Sequence, residues 1–180
     1  YPAPLEDAMK AWDYLMYLGY GARDVVVAGD SAGGNLALVL AMLLRDAGRL
    51  LPRRLVLLSP WTDMTASGRS YQEHRDDDPM LTMDYIRAVR GVYAPGQDLS
   101  APLLSPLFGD LRRLPPVLIQ AGTNEILLSD SVRLRDRLVQ AGTPCRLEVW
   151  PDMWHVFQMF PMKKAAQAMN HIGQFLLELD

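Results

Sequence analysis

The chain of 180 residues is 49% hydrophobic and carries a formal net charge of −3, which is enough apolar content for one domain with a substantial core, residues 1–180. Its 18 basic residues are scattered or lie beside acids, so no basic face for nucleic acid is indicated. No apolar stretch reaches the roughly 18–20 residues of a membrane helix, and the single cysteine, Cys145, favours a reducing compartment. We therefore expect a soluble, cytoplasmic protein without a membrane span.

Short apolar runs alternate with segments of helical periodicity along the chain. In order, the pattern predicts helix 5–18, strand 25–28, helix 34–47, strand 55–58, helix 82–92, strand 117–121, helix 129–141, strand 146–150 and helix 163–179. Because the strands are continuous runs of Val, Leu and Ile, helices should cover both faces of the sheet. The prediction is an α/β fold with a mostly parallel sheet and flanking helices.

The segment between the second and third predicted strands has a different composition. It contains several prolines, the acidic run at residues 76–79 and only one clear helical pattern. A stretch of this kind is typical of an insertion that packs over the ends of the strands. We predict a lid insertion at about residues 64–104.

The segment Gly29-Asp30-Ser31-Ala32-Gly33-Gly34 lies between the first predicted strand and the helix that follows it. It matches the pattern Gly-x-Ser-x-Gly of a nucleophile elbow, a strand-to-helix turn that exposes a serine hydroxyl. The glycines let strand and helix approach, whereas the serine must take a positive φ. The alternative interpretation is an ordinary capped helix N-terminus, which the order strand, turn, helix makes less favourable.

Two further polar side chains follow later strands. Glu125 comes after the third strand and His155 after the fourth, whereas His74 and His171 lie in the predicted insertion and the last helix. Ligand sites of parallel α/β sheets lie beyond the carboxyl ends of the strands, and the chain order Ser, Asp/Glu, His is that of α/β-hydrolases.

These residue types suit nucleophilic catalysis. Ser31 would be the nucleophile, His155 the base that takes its proton, and Glu125 the acid that orients the imidazole. The backbone N–H of Ala32 would donate to the oxyanion. Two alternatives stay open: Asp130, one helical turn after Glu125, could be the acid, and a histidine between aromatic residues could be a core residue.

Four segments carry a resemblance to the hormone-sensitive-lipase-like family of α/β-hydrolases, the bacterial esterase group: residues 1–8, residues 29–35, residues 104–107 followed by 114–116, and residues 153–157. The resemblance implies an α/β-hydrolase fold, the triad Ser31, Glu125 and His155, and hydrolysis of short- to medium-chain carboxylic esters or lactones through an acyl-serine. It implies neither metal nor organic cofactor. Many relatives carry aspartate where this chain has Glu125.

One family motif is absent. The His-Gly-Gly-Gly loop, which supplies the other oxyanion donors, lies upstream of the first helix in the family, so the chain resembles the C-terminal part of a family member with the N-terminal strands missing. We expect the 180 residues alone to be poorly active or prone to aggregate, because the sheet would have an open edge.

The expected partner is a small-molecule ester, and a homodimer is left open by the sequence. A trypsin-like protease is excluded because its histidine and aspartate precede the serine. A non-catalytic receptor or inactive paralogue on the same scaffold, as in the plant gibberellin receptors that resemble this family but lack the histidine, is the alternative. Five residues are candidates for an apolar substrate pocket: Trp61, Met64, Met80, Tyr93 and Trp154.

Overall fold

The computed structural model describes residues 1–178. Its four strands form one parallel sheet in the order β1 (Val26–Asp30), β2 (Arg54–Leu58), β3 (Val117–Gly122) and β4 (Cys145–Trp150). The register pairs Leu57 with both Gly29 and Ile119. All residues of β3 are buried, as expected for a central strand covered on both faces. The predicted α/β class with a parallel sheet is confirmed.

Four long helices flank the sheet: α1 (Ala3–Tyr17), α2 (Ala32–Asp46), α5 (Leu128–Gln140) and α6 (Lys163–Leu177). On one face, Leu38 of α2 and Leu134 of α5 pack against Ile119. On the other, Phe175 of α6 packs against Leu118. The predicted last helix ends at Leu177 instead of 179, and residue 179 lies outside the described residues.

The segment between β2 and β3 contains two helices, α3 (Ser70–Glu73) and α4 (Met83–Tyr93). The hydroxyl of Thr82 caps α4 by accepting the N–H of Tyr85 at 3.2 Å. The insertion, residues 64–104, has its own apolar cluster, which joins it to the start of α5 through Ile126 and Leu127. It therefore packs on the side of the molecule where β3 ends.

A single buried amide holds both ends of the insertion. Asn35 in the first turn of α2 donates to the carbonyl oxygens of Trp61 and Leu104, each at 2.8 Å. These two carbonyls lie just before and at the end of the insertion. Of the helices in residues 1–178, none has the length and apolar character needed to cross a bilayer.

Candidate functional site

Ser31 is the single residue between the last residue of β1 and the first of α2. Its backbone has φ 52° and ψ −119°, a conformation that costs a residue with a Cβ on the order of 1–3 kcal/mol. A Cβ at Gly29 would lie 2.2 Å from the carbonyl oxygen of Gly33, so only glycine allows the strand and helix to meet here. The strained turn predicted from the sequence is present.

The elbow is held by the end of the neighbouring strand. The N–H of Ser31 donates to the carbonyl of Leu58 at 2.8 Å, and the carbonyl of Ser31 accepts the N–H of Trp61 at 3.0 Å. Within residues 1–178 the Ser31 hydroxyl makes no hydrogen bond, and its side chain is partly exposed. The N–H of Ala32 is among the first N–H groups of α2, which lack partners within a helix. A free hydroxyl therefore lies beside a free donor.

Glu125 and His155 meet at the ends of β3 and β4. Oε2 of Glu125 lies 3.1 Å from Nδ1 of His155, and both side chains are buried. The other carboxylate oxygen, Oε1, accepts the N–H of Gly122 and the hydroxyl of Ser59. Leu58, whose carbonyl accepts the N–H of Ser31, is followed directly by Ser59, whose hydroxyl donates to Glu125. The end of β2 therefore contacts both the serine turn and the acid. The structure therefore brings the three predicted residues to one edge of the sheet.

Asp130, the alternative acid, is bonded elsewhere. Its Oδ2 accepts the backbone N–H groups of Thr62 and Asp63 at 2.9 and 2.8 Å, and the hydroxyl of Tyr71 at 3.3 Å. Burial, followed by the charge of Asp63, raises the pKa of Asp130 to about 8. Burial and the nearby carboxyl of Asp130 likewise raise the pKa of Tyr71. Asp130 thus supports the start of the insertion and not the imidazole.

Asp63 is also a buried carboxylate, and several side chains donate hydrogen bonds to it. Burial by itself would raise its pKa, but hydrogen bonds from Ser67, Thr65 and Arg133 outweigh that effect and hold the pKa below the usual value. Arg133 of α5 lies 2.9 Å from Oδ2. These contacts give Asp63 a structural role, because its carboxylate joins the start of the insertion to α5.

Asp78 makes hydrogen bonds near the site that the sequence did not predict. Its Oδ2 accepts the N–H of Ile126, the residue after Glu125, at 2.9 Å, and its Oδ1 accepts the N–H groups of Met80 and Leu81. The side chain is 9% exposed, although the flanking Asp76 and Asp77 are exposed. Pro79, which follows Asp78, is a signal for an ordered turn. Nothing in the sequence indicates that Asp78 would bond to Ile126.

An apolar cavity of about 230 Å³ opens beside the elbow. Three of the five predicted pocket residues contribute to its lining, which consists of Pro4, Ala32, Gly33, Asn35, Leu36, Trp61, Met64, Val89 and Tyr93. The other two predictions are not part of this lining. Met80 is 51% exposed after the turn at Asp78, and Trp154 packs edge-to-face on Phe160 with ring centroids 5.5 Å apart.

The remaining histidines lie near other carboxylates, away from Glu125. Nδ1 of His171 lies 3.1 Å from Glu148, and Nδ1 of His74 lies 3.7 Å from Asp77. Among the residues that the structure describes, no three His, Cys, Asp or Glu side chains come together in a way that would hold a metal ion.

A family model described as the alpha/beta hydrolase fold matches residues 1–159. An acetyl-hydrolase from Streptomyces hygroscopicus is 38% identical, over 98% of this chain and 60% of the relative. An esterase from Acinetobacter venetianus is 34% identical, over 100% of this chain and 60% of the relative.

Solved structures agree closely with the fold. A crystal structure of an esterase from the bacterial hormone-sensitive lipase family superposes with a TM-score of 0.95 at 41% identity, covering 98% of this chain and 60% of that one. A hormone-sensitive lipase from a metagenome library gives a TM-score of 0.95 at 36% identity, over 98% and 61%. The chain thus spans about 60% of the length of these relatives.

Proposed function

The chain belongs to the α/β-hydrolase family, and from that premise we propose that it carries the catalytic residues of a serine esterase, with Ser31 as nucleophile, His155 as base and Glu125 as acid. The observation that carries this proposal is the buried pair of Glu125 and His155, 3.1 Å apart, at the same edge of the sheet as the strained serine. Residues with backbone strain of this kind cluster at active sites. The names of the relatives, esterase and acetyl-hydrolase, support the same reaction class.

The geometry supports a defined order of proton transfers. With Nδ1–H of His155 donating to Glu125, the lone pair on Nε2 is available to take the proton of the Ser31 hydroxyl as Oγ attacks the ester carbonyl carbon. The negative charge moves to the carbonyl oxygen, where the N–H of Ala32 can donate to it. Collapse of this intermediate expels the alkoxide, which takes the proton from Nε2 and leaves an acyl-serine.

Water completes the cycle by the same steps. His155 takes a proton from a water molecule, the resulting hydroxide attacks the acyl carbon, and the proton returns to Oγ of Ser31 as the acid leaves. Among residues 1–178 the Ser31 hydroxyl has no hydrogen-bond partner, and catalytic hydrogen bonds commonly tighten when substrate binds.

The cavity beside Ala32 supports a short- to medium-chain acyl group or a lactone as substrate. Its volume of about 230 Å³ is below the range of roughly 300–1,000 Å³ that is common for drug-sized ligands.

We also propose that the insertion, residues 64–104, acts as a lid within a single catalytic domain of residues 1–180. Met64, Val89 and Tyr93 from the insertion line the cavity, and the elbow supplies the opposite wall.

Fluorophosphonate labelling with mass mapping tests the proposal. The full-length protein should be labelled at Ser31, and it should hydrolyse p-nitrophenyl butyrate faster than the long-chain palmitate ester. The Ser31→Ala variant should fold, take no label and retain less than a few per cent of the turnover. A folded protein that neither reacts with the probe nor hydrolyses any ester would favour a receptor or inactive paralogue on this scaffold.

A further inference from the structure

Ser59, the residue directly after β2, has three unusual properties at once. It is fully buried, its φ is 45°, and its hydroxyl contacts both the acid and the histidine loop. The hydroxyl donates to Oε1 of Glu125 at 3.0 Å and accepts the N–H of Val156 at 3.1 Å. Resting on the esterase function proposed above, we propose that Ser59 is a positioning residue that fixes Glu125 and His155 relative to each other.

The carboxylate of Glu125 is held through one of its two oxygens. Oε1 of Glu125 receives two donors, the Ser59 hydroxyl and the N–H of Gly122. Because a carboxylate is planar, fixing Oε1 also fixes the direction of Oε2, which faces Nδ1 of His155. The two donors also compensate the burial of the charge. Without the hydroxyl, the carboxylate could rotate about its last side-chain bond and lose its alignment with the imidazole.

Ser59 also holds the backbone that follows the histidine. Val156 has φ 51° and ψ 42°, the left-handed region, which is strongly disfavoured for a β-branched residue. Such a conformation persists only where its surroundings over-determine it. The hydrogen bond from the Val156 N–H to Ser59 is one of those constraints. Since this N–H belongs to the peptide bond that joins His155 to Val156, holding it also holds the backbone that carries the imidazole.

Ser59 itself is anchored from the opposite side. Its N–H donates to the carbonyl of Gln120 in β3 at 2.7 Å, so the positive φ is fixed by the sheet and not by a mobile loop. The hydroxyl therefore projects from a rigid strand end. A group on such a support can set the position of two loops that come from different strands.

A purely structural serine would have the same burial and the same number of hydrogen bonds, and the chain offers one. Ser105 is also fully buried. Its hydroxyl accepts the N–H of Met64 at 2.7 Å and donates to the carbonyl of Leu99 at 2.6 Å. Removing its hydroxyl deletes one buried and one partly buried hydrogen bond without contact to Glu125 or His155. Ser105→Ala is therefore the matched control.

The test compares Ser59→Ala with Ser105→Ala in the full-length protein, using p-nitrophenyl butyrate. Ser59→Ala should lower kcat by about 10- to 100-fold with KM unchanged, because misplacement of the pair acts on the chemical step. Ser105→Ala should keep kcat while losing comparable stability. The downfield proton resonance of an imidazole Nδ1–H bonded to a carboxylate should broaden or disappear only in the Ser59 variant.

Ser59→Gly serves as the second variant, because glycine accepts the positive φ while lacking the hydroxyl. It should be at least as stable as Ser59→Ala and equally impaired in kcat. Equal kcat losses in the Ser59 and Ser105 variants, or a Ser59→Gly protein with normal kcat and an intact resonance, would overturn the proposal. Absence of turnover and of Ser31 labelling in the wild type would instead overturn the esterase function itself.

Discussion

The carboxylate of Glu125 lies 3.1 Å from Nδ1 of His155, whereas Asp130, five residues further along the chain, bonds to the backbone of Thr62 and Asp63. The two acids therefore have separate tasks. Glu125→Gln keeps the shape of the side chain but presents an amide to the imidazole, which favours the wrong tautomer. We expect kcat to fall on the order of 10³-fold or more.

Asp130→Asn is the matched control, since it makes the same chemical change at the other acid. Its kcat should stay within a few-fold of the wild type, because no contact links Asp130 to His155. Steady-state kinetics of Glu125→Gln and Asp130→Asn on one ester substrate tests this assignment. A larger loss of kcat in Asp130→Asn than in Glu125→Gln would assign the acid role to Asp130.

The ionisation of Asp130 should make the free energy of unfolding depend on pH. Burial and the charge of Asp63 raise the pKa of Asp130 to about 8, whereas an unfolded aspartate titrates near 3.9. Between these values the folded protein binds more protons at this site than the unfolded chain. This group therefore lowers the free energy of unfolding as the pH rises from about 4 to about 8, by at most about 1.4 kcal/mol per pH unit.

Asp130→Asn cannot ionise at this site and should remove that slope. Urea denaturation at several pH values from about 5 to 8 should show the variant gaining stability relative to the wild type as the pH rises. The neighbouring groups Asp63 and Tyr71 are the same in both proteins, so their own titrations largely cancel in the comparison. A difference that does not change with pH would show that Asp130 is ionised throughout.

A third prediction concerns Asp78, which accepts three backbone N–H groups, including that of Ile126 beside the acid. Asp78→Ala leaves these donors without partners, and both Leu81 and Ile126 are buried. The free energy of unfolding should fall by about 2–4 kcal/mol. Asp76→Ala, an exposed member of the same acidic run, should change it by no more than about 0.5 kcal/mol. Equal effects in denaturant titrations would refute the role of Asp78.

A fourth prediction compares two glycines. A Cβ on Gly122 would lie 2.1 Å from the carbonyl oxygen of Met153, two residues before His155, so Gly122→Ala must displace the histidine loop. We expect a loss of about 3 kcal/mol in the free energy of unfolding, together with reduced turnover. A Cβ on Gly173 in α6 meets nothing within 4 Å, and Gly173→Ala should stabilise the protein by about 0.5–1 kcal/mol. Thermal unfolding should therefore give a lower Tm for Gly122→Ala and a higher Tm for Gly173→Ala than for the wild type.

The elements were predictable because their signals are local. Apolar runs mark the four strands within about two residues, and Gly29, Ser31 and Gly33 mark the elbow. The helix after the elbow begins at Ala32 and not at residue 34, because the turn consists of Ser31 alone. Gly34 is helical and close to the next strand end, since a Cβ there would lie 2.8 Å from Cβ of Pro60.

The supporting contacts of the site were not predictable in the same way. Ser59 and Asp78 contact residues 66 and 48 positions away along the chain, and neither lies in a pattern that indicates a partner. Asp130 and Glu125 are both carboxylates near the same strand end, and only the fold shows which of them faces the imidazole. Such assignments depend on side-chain direction in three dimensions, which periodicity does not encode.

Asn35 bonds to carbonyls on both sides of the insertion, and its helix begins at the elbow. The two ends of the insertion are therefore tied to one fixed point, whatever lies between them. Because the entropy of closing a loop grows slowly, by about 0.6 kcal/mol for each doubling of length, the segment between the ties can lengthen, shorten or change composition at little cost. Changes within the insertion can therefore be accommodated without displacing the helix that begins at the serine turn.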